Sequence, residues 1–353
     1  MKKLLLTLWF CALAIAAVFA QEKCNVVYEG EKAMLCTSDY IDTYFIATAL
    51  KYNFANVNKN ASAWNEAKTY FAPYKKHAFL KTLDKFVDKQ SRSAHYSVPC
   101  AFMAYSFFDD VKSVPSERVF GVFSSKKDLS DFIVELEKFY NDTNAGEFLK
   151  KYKEELGEVV EFFNSDRDFD YDFRTLDAYM GGADNAKYAV FTSYFNNNGC
   201  YGSVSTENGT VFHSLTIPYN YYTGNVEVEC MLGNVLSNFV SMKLGSSVED
   251  CAAVIEELAK KQKKTDYASQ WYANYGWWNI VSANIENAVK AKVYKEGSAE
   301  GPFKYDMLYN AKNNGFKNID RVYNALTAYE ENRDQYPSID LYVEELAKAL
   351  FAK

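Results

Sequence analysis

Over most of the chain, apolar residues return every three or four positions; over one middle stretch they cluster with β-branched residues instead. "SDYIDTYFIATALKYN" carries an apolar stripe through Ile41, Tyr44, Phe45 and Leu50, preceded by Ser38, a residue type suited to cap a helix. "SAWNEAKTYFAPYKKHAFLKTLDKFVDKQ" predicts two helices broken near Pro73. "SKKDLSDFIVELEKFYNDTNAGEFLKKYKEELGEVVEFFNSD" predicts a helical hairpin punctuated by Asn-Asp-Thr-Asn-Ala-Gly at 141–146. Pro99 and Pro115 mark turns between these pieces.

From Lys187 to Tyr222 the residues are rich in β-branched and aromatic types, divided by Asn-Asn-Gly and Glu-Asn-Gly. That pattern predicts a small meander of about three strands. Helical spacing resumes near Val228 and continues through "SVEDCAAVIEELAKKQK", "GWWNIVSANIENAVKAKVYKEG", "IDRVYNALTAYEENRD" and "SIDLYVEELAKALFAK". The expected fold class is α+β, mainly α-helical, with a small antiparallel β-meander before a central helix. One domain is expected over 21–353: a helical half at about 21–180, the sheet at about 185–222, and a helical part over 226–353.

The central helix, "VECMLGNVLSNFVSMKLG", buries two adjacent stripes, Met231, Val235, Phe239 and Leu232, Leu236, Val240. Opposite them lie Gly233, Asn234, Ser237, Asn238 and Ser241. A helix-borne zinc site of HExxH type needs His at i and i+4, so that both imidazoles reach one metal, and Glu at i+1 as the base. Gly233 and Ser237 stand in that i, i+4 relation, with Asn234 at the base position.

Composition narrows the partners. The chain opens "MKKLLLTLWFCALAIAAVFAQEKC", two lysines before an apolar run from Leu4 to Phe19, with Val18 and Ala20 at the −3 and −1 positions of a signal-peptidase site. Cleavage after Ala20 is expected, giving an exported protein, periplasmic or secreted, with no membrane span left in the mature chain. Losing Lys2 and Lys3 takes the formal charge from −7 to −9, which argues against nucleic acid or an anionic membrane as partner. Six cysteines remain: Cys24, Cys36, Cys100, Cys200, Cys230 and Cys251. Disulfides are permitted, but spacing alone does not choose the pairing.

Several stretches, in this order, resemble a family of exported bacterial proteins with a domain of unknown function: "YFAPYKKHAFL", "DFIVELEKFYNDTNAGEFLKKYKEEL", "NNGCYGSVS", "LGNVLSNFV", "NIENAVKA" and "NAKNNGFKNIDRVYNALTAYEENRDQYPSID". The family's helix has the form HEFSHSF, and its fold is similar to zinc-dependent peptidases. The resemblance therefore implies a zincin-like fold with zinc as the family's metal. It places Gly233 and Ser237 at the two His positions, Asn234 at the general-base Glu, and Glu286 at the third ligand. Glycine has no side chain to bind metal, an amide accepts no proton near neutral pH, and a serine hydroxyl is a poor zinc ligand. The expectation is a degenerate site with no catalytic residue and no zinc, on a scaffold that keeps a cleft for peptide, protein or glycan. On spacing alone, Glu286 also pairs with Lys290 at i, i+4 on a helix surface.

Two alternatives remain open. One is an active hydrolase with a non-standard metal site built on Glu286 and drawing a ligand from His213; His77 and His95 are the only other histidines. The other is a carbohydrate-binding or envelope module that stacks sugars on Trp271, Tyr275, Trp277 and Trp278, which otherwise read as packing anchors near Gly276. "DRDFDYDFRTLD" sets Asp166, Asp168, Asp170, Asp172 and Asp177 at calcium-loop positions, although Tyr171 stands where the loop needs glycine, so an acidic connector is favoured. No GxSxG elbow, phosphate loop or dinucleotide fingerprint occurs.

Overall fold

The computed structural model describes residues 25–52, 62–86, 123, 125–153, 169–181, 188–195, 211–216, 228–270, 272–294 and 307–352. They divide into two units: residues up to Phe169 with Asn185–Met231, and Asp170–Asp184 with Leu232–Lys353.

The first unit is built on a mixed sheet of β1 (Asn25–Glu29), β2 (Ala33–Thr37), β3 (Tyr188–Ser193) and β4 (Val211–Thr216), in that order. β1 and β2 form an antiparallel hairpin closed by Gly30 N–H donating to the Ala33 carbonyl at 2.7 Å. β2–β3 and β3–β4 are parallel, so the expected antiparallel meander is corrected. The physical reason lies in the strands themselves: "AMLCT" and "YAVFTS" are near-continuous apolar runs, as strands covered on both faces require, and every residue of β2 is buried. A parallel pair also needs a long connection, and residues 194–210 separate β3 from β4 in the sequence. The Asn-Gly turn signals of that stretch lie outside the described residues.

One sheet face, carrying Met34, Cys36, Ala189 and Phe191, shares a core with α1 (Asp39–Lys51), α2 (Ser62–Tyr70), α3 (Ala78–Phe86) and α4 (Lys126–Asp142). Residues 34 and 36 sit in register with 189 and 191, so the period of two puts all four on one side. Aromatic rings fill the space: Phe79 meets Phe132 at 5.4 Å and Phe139 at 5.6 Å. Ser38 starts α1 as expected, and Ser125 starts α4 in the same way. Ile41 N–H donates to Ser38 Oγ at 3.4 Å, and Asp128 N–H to Ser125 Oγ at 3.1 Å. The Pro73 break is a 3-10 turn, Ala72–Tyr74, and the 141–146 punctuation turns on Asn144 at φ 51° before helix resumes at 145.

The second unit is helical: α5 (Phe169–Met180, from Asp170 on), α6 (Val228–Asp250, from Leu232 on), α7 (Ala252–Ala259), α8 (Trp277–Val293), α9 (Met307–Asn313), α10 (Ile319–Glu331) and α11 (Val343–Phe351). On α10 the stripe Ile319, Val322, Leu326, Tyr329 is wholly buried, the spacing of a single helical face. α5 ends at Gly181, whose φ of +70° suits glycine, and whose N–H donates to the Asp177 carbonyl at 2.8 Å. Tyr329 donates to the Met180 carbonyl at 2.9 Å and Arg333 to the Tyr179 carbonyl at 2.6 Å. The last carbonyls of α5 are thereby satisfied by side chains from α10 and the turn after it. Among the described residues no helix is long and apolar enough to cross a membrane.

Candidate functional site

α6 buries Val235, Leu236, Phe239, Val240, Leu244 and Val248 completely or nearly so, as its two apolar stripes require. Ser237 and Ser241 fall one turn apart on another face, half-buried. On α8, Glu286 and Lys290 are likewise one turn apart. The two pairs meet. Ser241 Oγ donates to Glu286 Oε2 at 2.7 Å, and Lys290 Nζ donates both to Ser237 Oγ and, at 3.2 Å, to Glu286 Oε1. Because 241 meets 286 while 237 meets 290, the two helices run antiparallel here.

Of the positions singled out on α6 and α8, Ser237, Ser241 and Glu286 are thus brought together. Gly233 and Asn234 lie on α6 one turn before Ser237, but their surroundings lie outside the described residues. Lys290 is what spacing alone misjudged: it is 6 % exposed, not a surface partner. The signal was present in the sequence. Ile280, Val281, Ala283, Ile285, Ala288, Val289 and Ala291 are all buried, so α8 is apolar around most of its circumference and leaves its charged pair little solvent.

This donor set does not fit zinc. Zinc takes deprotonated thiolate, imidazole or carboxylate donors; here one carboxylate stands with two neutral hydroxyls, and an ammonium already neutralises that carboxylate. Among the described residues no group of three His, Cys, Asp or Glu side chains could hold a metal. His77 accepts the Phe79 N–H at Nδ1 (3.2 Å) and faces Asp142 from Nε2 (3.1 Å), so both nitrogens are engaged in anchoring the start of α3. His213 lies on β4 of the first unit, opposite Val190, and its side chain, like the whole of His95, lies outside the described residues.

Asp166 and Asp168 also lie outside the described residues. Asp170, Asp172 and Asp177 sit within α5, which corrects the calcium-loop register, since a continuous helix cannot wrap its ligands about one ion as a loop does. They are buried, with Asp170 held by Arg174 Nε at 2.9 Å and Asp177 by Lys243. Among the aromatics, Trp277 is a packing anchor against Tyr267 (5.8 Å) and Phe351 (5.5 Å). Tyr275 and Trp278 are 41 % and 38 % exposed. Trp271 lies outside the described residues.

Within the first unit one titratable group escaped the sequence reading. Asp42 on α1 is buried, accepting from Ser193 Oγ at 2.5 Å and from Phe195 N–H at 3.2 Å. Burial pushes its carboxyl up to about 7 against the lowering effect of those hydrogen bonds, with nearby Asp39 adding to the rise.

The model of a family described as a domain of unknown function (DUF4932) matches residues 31–349. No curated protein and no solved structure matches the chain.

Proposed function

This chain belongs to the DUF4932 family, a domain of unknown function, and from the motif resemblance in its sequence we propose that it is an exported, catalytically inactive relative of zincin-like zinc metallopeptidases, periplasmic or secreted, that has lost zinc and keeps a cleft for a peptide, protein or glycan. The observation that carries the reading is the Lys290 ammonium, which donates to Ser237 and to Glu286, the residues that the resemblance sets at the second imidazole and third-ligand positions. On the alignment that the resemblance implies, a tethered cation takes up the acceptors at two of the three ligand positions. The general-base position carries Asn234, whose amide takes no proton near neutral pH. Export is supported by the basic–apolar–small order of residues 1–20.

The test is made on the mature chain, chelator-washed and then dialysed against zinc. The expected outcome is zinc well below one equivalent and no cleavage of a mixed peptide library. One tightly held zinc with peptide cleavage would favour the active-hydrolase reading instead. A second reading, carbohydrate binding, is favoured by one observation: Tyr275 and Trp278 are exposed within one stretch. Retention on insoluble polysaccharide that Trp278→Ala abolishes would support it, and Trp278 is the residue to vary because Trp277 is a packing anchor.

A further inference from the structure

The side chain of Lys290 is 8 % exposed and that of Glu286 13 %. An ammonium removed from water to that degree persists only where fixed acceptors replace its hydration. Two helices supply them. Ser237 Oγ and Glu286 Oε1 accept from the ammonium, and Ser241, donating to Glu286 Oε2, fixes the orientation of the carboxylate. We propose that Ser237, Ser241 and Glu286 form a binding cradle for a primary alkylammonium ion, and that Lys290 is its tethered occupant.

The chemistry selects the ligand class. One carboxylate with two neutral hydroxyls balances a single positive charge, and its oxygens are hydrogen-bond acceptors for N–H groups. A divalent metal would remain under-neutralised and short of donors. A quaternary ammonium has no N–H to offer. Lys290 springs from the same helix as Glu286, one turn on, so its ammonium is present at high effective concentration and keeps free amines out. The native cradle is therefore shut by the chain's own side chain. This inference rests on the geometry of α6 and α8 alone and stands whether or not the chain descends from a metallopeptidase.

Lys290→Ala opens the cradle. Its thermal unfolding is followed in methylammonium chloride and, at matched concentrations, in tetramethylammonium chloride. Methylammonium is expected to raise the melting temperature of Lys290→Ala by a few degrees more than tetramethylammonium does. The wild type should show no such difference, and adding Glu286→Gln to Lys290→Ala should remove it. A folded Lys290→Ala that responds equally to both salts overturns the proposal. Where Lys290→Ala does not fold, Lys290→Met, which keeps the bulk of the stem, decides. It is expected to melt below the wild type and to recover on adding Glu286→Gln; a Lys290→Met as stable as the wild type overturns the proposal.

Discussion

Asp42 shows what one buried carboxyl does to a fold. Its value in the folded chain is about 7 against 3.8 for the free side chain. Between those values the folded protein holds a proton that the unfolded chain gives up. Stability from this group is therefore full below about pH 4 and declines as pH rises towards 7. Asp42→Asn keeps an acceptor for Ser193 and Phe195 and removes the titration. Relative to Asp42→Asn, the wild type should lose roughly 2–3 kcal/mol between pH 5 and pH 8, read from urea unfolding at the two values; parallel pH profiles would contradict it. Lys290 poses the opposite case, a charge that is matched. Lys290→Met leaves the Glu286 carboxylate half of a broken pair and should cost about 3 kcal/mol, against a few tenths for an exposed i, i+4 pair. A loss of only a few tenths in denaturant unfolding would return the pair to the surface.

Helix α5 is held at its C-terminal end by other elements, and there substitution should be felt most. A Cβ on Gly181 would come within 2.2 Å of the Pro337 carbonyl oxygen, at a φ of +70°. Gly181→Ala therefore carries both a backbone strain of about 1 kcal/mol and a clash with main chain, and should lower the melting temperature by several degrees. Tyr329→Phe removes the hydroxyl that donates to the Met180 and Tyr179 carbonyls and accepts from Arg333, and should cost about 1–2 kcal/mol; burial already pushes that phenol up to about 12, so no pH dependence accompanies it near neutrality. These elements also show where sequence is readable. The cap at Ser38, the break at Pro73 and the helical spacing of α6 and α10 follow from local sequence, and the chain obeys it. The parallel pairing of β3 with β4 does not, because Asn-Gly signals describe a turn and not which strand lies alongside. α5 was hidden for a related reason: its alternating aspartates have the spacing of a loop, and the pairing partners Arg174 and Lys243 that make a helix tolerable include one far along the chain.

At the scale of the molecule, a mainly helical chain with a small mixed sheet carries, on two antiparallel helices, a polar cluster that the sequence located but did not explain. Ser237, Ser241 and Glu286 were picked out by spacing and resemblance. Lys290 was not, because an i, i+4 pair reads the same on a surface as in an interior, and only its surroundings separate the two. The central claim is that a lysine stands where a metal would have to be. It is tested most directly by zinc content after rebuilding the ligand set: Gly233→His, Asn234→Glu and Ser237→His together, with and without Lys290→Ala. The account predicts one zinc per chain when Lys290 is removed and markedly weaker binding when it is kept. Folded variants that take up no zinc in either form, or equal zinc in both, would contradict it.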